Sequence, residues 1–369
     1  MARINFSDNI EAKGRQLHLQ THLSEDGGER IHTLFDGGRV LRRLSFPQSK
    51  ADPKVDALIH STHIDMVSEI ELLYQISVRI KTVRHAPSLL SQGRLFVKWR
   101  LLDEAVSELE LARHIAPKNR EVLAALSEAY RLRGGLKEAL DILAPGLNDG
   151  LESALFWCQK GHIAILQKQW RAAQQCFVSA LKVNPLHIES FLRSAEGYLL
   201  SHEGQGENGK RDRLVEKARE QIGRAIHNST FPIHRAEEAL RLLHQQRVQQ
   251  VLALLTVLLE EKPWALPVDR YDRFYLDYLY GEQGRDAQRI QGYIRDLETA
   301  VRQYPPNGEL HNRLGVAYML QCRALFSHAI HEFQKALAIN PALMRAKRNL
   351  QLVKNDAKGF LILLRALLK

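Results

Sequence analysis

Residues 154–185 read ALFWCQKGHIAILQKQWRAAQQCFVSALKVNP. The large side chains Trp157 and Phe177 and the small ones Gly161, Ala173 and Ala180 recur at helical spacings on two successive segments, and Pro185 ends the second. The same frame comes before it, from Ala86 to Pro117, with Leu89, Gly93, Phe96, Ala105, Leu109 and Ala112. Between the two, Arg120 to Leu151 carries Leu123, Leu126, Tyr130, Ala139 and Leu143. A fourth copy opens at Ile188 with Phe191, Ala195 and Tyr198, and resumes after an insertion with Ala218, Ile222 and Ala225. Near the end, Leu314, Gly315, Tyr318, Ala329, Phe333, Ala336 and Pro341 fit once more, with two extra residues in the expected turn.

Each position has a physical reason. The small residues sit where paired helices cross closely, and a larger side chain there would overpack. The aromatic and leucine positions fill the space between one pair and the next. Helices of about 14 residues are marginal alone, so stacking on neighbours must stabilise them.

The pattern resembles the tetratricopeptide repeat (TPR) family, bacterial type, over roughly residues 86–352, a helix–turn–helix of about 34 residues per repeat. That resemblance implies a mainly α fold, a TPR-type α-solenoid in which helix pairs wind into a right-handed superhelix. Between the good copies the pattern decays. Ile233 to Pro263 is helical but lacks the small residues, and Asp269 to Pro305 keeps only Leu297, Ala300 and Pro305, so these read as two degenerate repeats with Trp264 to Pro267 as a kink. Pro145-Gly146 is expected to cut short the second helix of the second repeat. Met344 to Asn355 reads as a further first helix and Phe360 to Lys369 as an apolar helix capping the array, with a membrane-surface or partner helix as the alternative.

The first 48 residues differ. Gln16 to Leu23 alternates apolar and polar, the period of a half-buried strand; Arg30 to Phe35 and Arg39 to Phe46 follow as strands around the turn Asp36-Gly37-Gly38. The expectation is a small antiparallel β module of three strands, with Ile4 to Phe6 as a candidate fourth. The run Gly14-Arg15 to Arg39-Val40 is similar to a short β region at the head of some bacterial TPR proteins. Pro47 to Pro53 is a linker, and Lys54 to about Arg84 is one amphipathic helix carrying Val55, Ile59, Met66, Ile70, Leu73 and Ile80. The expected domains are therefore 1–48 (β module), 49–85 (linker and long helix) and 86–369 (repeat array with its cap).

Composition narrows the function. With 52 Lys and Arg against 42 Asp and Glu the chain is basic, +10, which suits acidic partners or a mildly basic surface. The three cysteines, Cys158, Cys176 and Cys322, lack regular spacing, so reduced thiols fit better than a disulfide framework or zinc site. The N-terminus has no signal-peptide core and no uncharged stretch is long enough to span a bilayer, so a cytoplasmic location is expected. His18, His22 and His32 are expected on the wet face of the sheet; His60 and His63 share a helix face but lack a third ligand. Gly204 to Arg211 has the spacing of a phosphate-binding loop, yet Arg211 replaces the required hydroxyl and no strand precedes it. No nucleophile stands in a recognised context. The sequence thus points to a non-enzyme with no cofactor, no metal and no small-molecule substrate.

What the resemblance implies instead is binding by shape. First helices of such repeats line a concave groove that receives an extended peptide or a helix of a protein partner. By the family's geometry the groove positions are Arg94, Lys98, Glu128, Arg131, His162 and Glu196. Arg94, Lys98 and Arg131 form a candidate seat for acidic groups, with solvated surface charge as the plain alternative. Leu90, Ala125 and Leu155 stand where the chaperone-binding subtype holds a terminal carboxylate, so that ligand is not supported. A nucleic-acid partner on a basic face is the alternative function.

Overall fold

The computed structural model describes residues 5–12, 14–24, 28–47, 55–148, 153–202, 208–229, 233–262, 268–281, 286–303, 308–339, 344, 346–351 and 353–355. The expected linker at 48–54, the insertion at 203–207, the expected kink at 263–267 and the expected capping segment beyond 355 lie outside them. The chain divides into two compact units, Met1–Arg273 and Phe274–Lys369.

The first unit opens with four antiparallel strands, β1 (Asn5–Ala12), β2 (Arg15–Leu23), β3 (Glu29–Asp36) and β4 (Arg39–Pro47), in that spatial order. Gly37 and Gly38, with φ of 53° and 84°, make the β3–β4 turn in the left-handed region that glycine adopts without strain. The candidate fourth strand is real and longer than expected, pairing Asn5 with His22 through Ala12 with Arg15. Alternation holds along β2, where Leu17, Leu19 and Thr21 are buried. Helix α1 (Val55–Val83) buries Ile59, Ile70, Leu73, Ile76 and Ile80, and it packs on β1 and β2. One expectation fails here. His32 is not on the wet face: it lies buried between sheet and helix. Thr21 Oγ1 stands 2.8 Å from His32 Nδ1 and 2.7 Å from His63 Nδ1, and His63 Nε2 donates to Asp8 at 2.8 Å. Burial first, then the nearby Arg30, His63 and His22, pull the His32 imidazole down to about 4.

Helix pairs follow: α2 (Ala86–Lys98) with α3 (Leu102–Ile115), α4 (Arg120–Arg133) with α5 (Leu136–Asn148), α6 (Ala154–Leu166) with α7 (Trp170–Val183), α8 (Ile188–His202) with α9 (Asn208–Asn228), and α10 (His234–His244) with α11 (Val248–Glu261). Two registers hold them together. In the first helices Gly93, Ser127, Gly161 and Ala195 stand at steps of 34, and a Cβ on Gly93 or Gly161 would come within 2.4 Å of Leu109 or 2.6 Å of the Phe177 ring. In the second helices Ala105, Ala139 and Ala173 repeat the step, all fully buried. The turn between the two helices of a pair is equally regular. Arg100, Gly134 and Lys168, again at steps of 34, all have positive φ (59°, 95° and 59°), and Gln246 (57°) does the same between α10 and α11. The following amide of each reaches back to the carbonyls of Phe96, Tyr130, Ala164 and Leu242, the hydrogen bond that closes a left-handed helix end.

The same registers correct two readings. Helix α5 runs through Pro145 to Asn148. Gly146 stands in register with Ala112 and Ala180, and a Cβ there would meet Phe156 at 2.4 Å, so the glycine is a crossing point and not a breaker. In the fifth pair the small residues are present in the first helix, where Ala236 and Ala239 are fully buried; only the second helix exchanges them for Val251 and Leu258.

Helix α12 (Val268–Tyr280) spans the boundary between the units. In the second unit α13 (Ala287–Gln303) buries Ile290, Ile294 and Leu297, and Phe274 stacks on Tyr293 with ring centroids 3.8 Å apart. The helix pair expected over Leu314 to Pro341 is not a pair. Gly308–Ile339 is one continuous helix, α14, which runs through the place where a turn was expected. Gly315 is exposed and has nothing within 4 Å of its Cβ direction.

Candidate functional site

The four helices α2, α4, α6 and α8 present one face each to a common cavity of about 950 Å3 within the first unit. The lining follows the repeat: Arg94, Glu128, His162 and Glu196 stand at steps of 34, and so do Ala125, Gln159 and Arg193. The array is a helical repeat of helix pairs with a period of 34 residues. No protein-family model matches the sequence, and no curated protein matches it. Among solved structures, a tetratricopeptide repeat protein from Parabacteroides merdae is 17% identical with a TM-score of 0.33, over 73% of this chain and 98% of that one. YrrB, described as a TPR protein with an unusual peptide-binding site, is 13% identical with a TM-score of 0.33, over 56% of this chain and 100% of its own. The Chs5–Bch1 exomer cargo adaptor complex is 9% identical with a TM-score of 0.24, over 98% and 76%. What defines the helix pairs is their own register of small residues and left-handed turns.

All six sequence-selected positions, Arg94, Lys98, Glu128, Arg131, His162 and Glu196, line this cavity. Their surroundings differ. Arg94 donates to Glu121 at 2.7 Å on the exposed rim. Lys98 donates to Glu69 at 2.7 Å, and that buried carboxylate also accepts from the Trp99 indole at 2.7 Å. Glu196 holds Arg193 at 2.9 Å. Arg131 is the least neutralised: its ion-pair partner Glu128 stands 3.7 Å away, and burial, with Arg193 and Arg100 nearby, holds the guanidinium below its ordinary pKa. His162 lies deeper still. Burial first, then the charges of Arg193, Arg131 and Lys262, drive its pKa far down, so the ring is neutral.

Other lining residues were not selected from the sequence. Glu189 and Arg193 were legible, since they repeat the positions of Leu155 and Gln159. Lys262, Glu260 and Arg42 were not, because they come from the end of α11 and from β4, outside the register. Lys262 ends α11 in the left-handed region (φ 46°) and donates to Glu189 at 3.1 Å. Burial opposes ionisation of Glu189, yet Lys262 and Arg193 together carry its pKa below the usual value. Among the described residues seven cations line the cavity, Arg42, Arg94, Lys98, Arg100, Arg131, Arg193 and Lys262, against five carboxylates, Glu121, Glu128, Glu189, Glu196 and Glu260.

Such an arrangement is suited to holding negative charge. Cys158, which also lines the cavity, is buried, and burial pushes its thiol up to about 12, away from nucleophilic use. Among the described residues no group of three or more His, Cys, Asp or Glu side chains is placed to hold a metal ion. No helix among them is long and apolar enough to cross a membrane.

Proposed function

We propose that this chain is a non-catalytic scaffold that holds an extended, acidic segment of a protein partner in the groove of α2, α4, α6 and α8, with Arg94, Lys98, Glu128, Arg131, His162 and Glu196 as contact residues. The observation that carries this reading is the cavity itself: one face from each of four successive repeats converges on it, with cations in excess of carboxylates. Ion pairs of half-exposed groups contribute about 0–1 kcal/mol, so they favour an acidic partner without locking the groove shut. The apolar rim, Leu155 and Leu186, offers contact to side chains alternating with the acidic ones. Five glutamates stand among the seven cations of the lining, a mixture that favours a mixed peptide over the uniform charge of a nucleic-acid backbone.

The test is affinity purification of the full chain beside the double variant Arg94→Glu/Arg131→Glu, with and without nuclease, and with circular dichroism to confirm that the variant is folded. Partner proteins should be recovered by the wild type whether or not nuclease is present and should be lost with the variant. Equal recovery by the folded variant overturns the groove assignment. Recovery abolished by nuclease replaces it with the nucleic-acid reading.

A further inference from the structure

Besides the Lys262–Glu189 pair, the end of α11 makes a second set of contacts outside the repeat register. Glu260, in the last turn of α11, sets its carboxylate 3.2 Å from Arg100 and 3.7 Å from Arg42. Arg42 is on β4, so the N-terminal sheet supplies part of the groove wall. The three side chains are unequally held. Glu260 is 51% exposed, whereas Arg42 and Arg100 are 19% and 25% exposed. The guanidinium groups belong to the wall, and the carboxylate sits on them from the open side. Arg100 occupies the left-handed turn position that the next repeat gives to Gly134, so an arginine there accepts an unfavourable backbone conformation while its side chain reaches the groove.

We propose that Arg42 and Arg100 form a seat for an acidic side chain of the bound segment, and that Glu260 fills this seat as an intramolecular stand-in until the segment displaces it. The inference rests on the groove reading above and deepens it: it names which acid-binding position selects the partner and gives the β module a part in that selection. Exchange of one carboxylate for another leaves both arginines paired throughout, so it strands no charge against the wall. A partner without an acidic residue at this point gains nothing there, because Glu260 already holds the position; discrimination comes from this competition. With Glu260 swung away, seven lining cations face four remaining carboxylates, which raises the pull on an acidic segment.

The experiment is selection of phage-displayed random dodecapeptides on the immobilised full chain, followed by affinity measurement of the enriched peptides in solution. The wild type should enrich peptides that share an Asp or Glu. Glu260→Gln should bind those peptides about three- to fivefold more tightly, the effect of removing one half-exposed competing ion pair. The double variant Arg42→Gln/Arg100→Gly should still enrich peptides but without the shared acid, and glycine at 100 suits the left-handed turn, so folding is retained. An affinity for Glu260→Gln equal to or below that of the wild type overturns the inference, as does a shared acid that survives in the double variant. Enrichment of acid-free peptides by the wild type overturns it while leaving the groove reading intact. No enrichment at all on the wild type overturns the groove reading and the inference together.

Discussion

Gly161 and Gly315 open the same string of residue types, each followed by Ala, Phe, Ala and Pro, yet they end in different structures. A Cβ on Gly161 would come within 2.6 Å of the Phe177 ring; a Cβ on Gly315 would meet nothing within 4 Å. The difference arises seven residues on. At Lys168 the chain enters the left-handed region and folds back, so α7 lies against α6, whereas at Cys322 it continues as helix α14. The two extra residues before Ala329 put the second apolar set out of step with a turn at that place. A hairpin would not return Phe333 to Gly315, and a continuous helix keeps its hydrogen bonds without a strained turn residue. The lesson is that a small residue marks a helix crossing only where the turn delivers a large one to it.

Acid should separate the two regions by the largest margin. His32 is held near 4 in the folded first unit against about 6.5 when unfolded, so the unfolded chain binds more protons in between. Its stabilising contribution is complete above pH 6.5 and is lost as pH falls through 4, up to about 3 kcal/mol. Hydrogen exchange at β2, β3 and α1 should therefore quicken between pH 6.5 and 4 once intrinsic exchange is corrected for, and His32→Gln should flatten that dependence. A wild-type profile without slope would place His32 in water. Next in size, Gly161→Ala and Ala180→Leu should each cost about 1–3 kcal/mol in urea unfolding followed by circular dichroism, because Phe177 and the facing helices must move. The matching change in α14, Gly315→Ala, should instead stabilise by about 0.5–1 kcal/mol, the helix propensity gain with nothing to strike. If both glycine changes shift the midpoint in the same direction, the contrast between the regions is wrong. The finest test uses the turn position. Lys168→Gly should raise stability by a few tenths of a kcal/mol by relieving a positive φ, while Cys322→Gly should lower it by a similar amount within a helix.

Much of the site was legible because the repeat is rigid in register. Once Gly93, Gly161 and Ala195 are aligned, a groove position in one repeat fixes the others, which is how Arg94, Glu128, His162 and Glu196 reach one cavity. Ser127 and Gly146 were overlooked as members of the same series: a serine hides its role by donating to the Ala139 carbonyl, and a glycine after a proline looks like a breaker. His32 was misplaced for a different reason. Alternation along one strand gives a face, but β3 buries Ile31, His32, Thr33 and Leu34 in succession, so neighbours on both sides decide.

By itself the sequence determined the helix pairs of the first unit and their period, because these follow from spacing along one chain and from the space a side chain needs at a crossing; which face lines the groove was implied by the family resemblance. Only the tertiary structure decided that β4 and the end of α11 come to the same groove, that Glu260 sits on Arg42 and Arg100, and that α14 does not fold back. Those outcomes depend on contacts between residues far apart in the chain, and local periodicity carries no record of which distant charges meet.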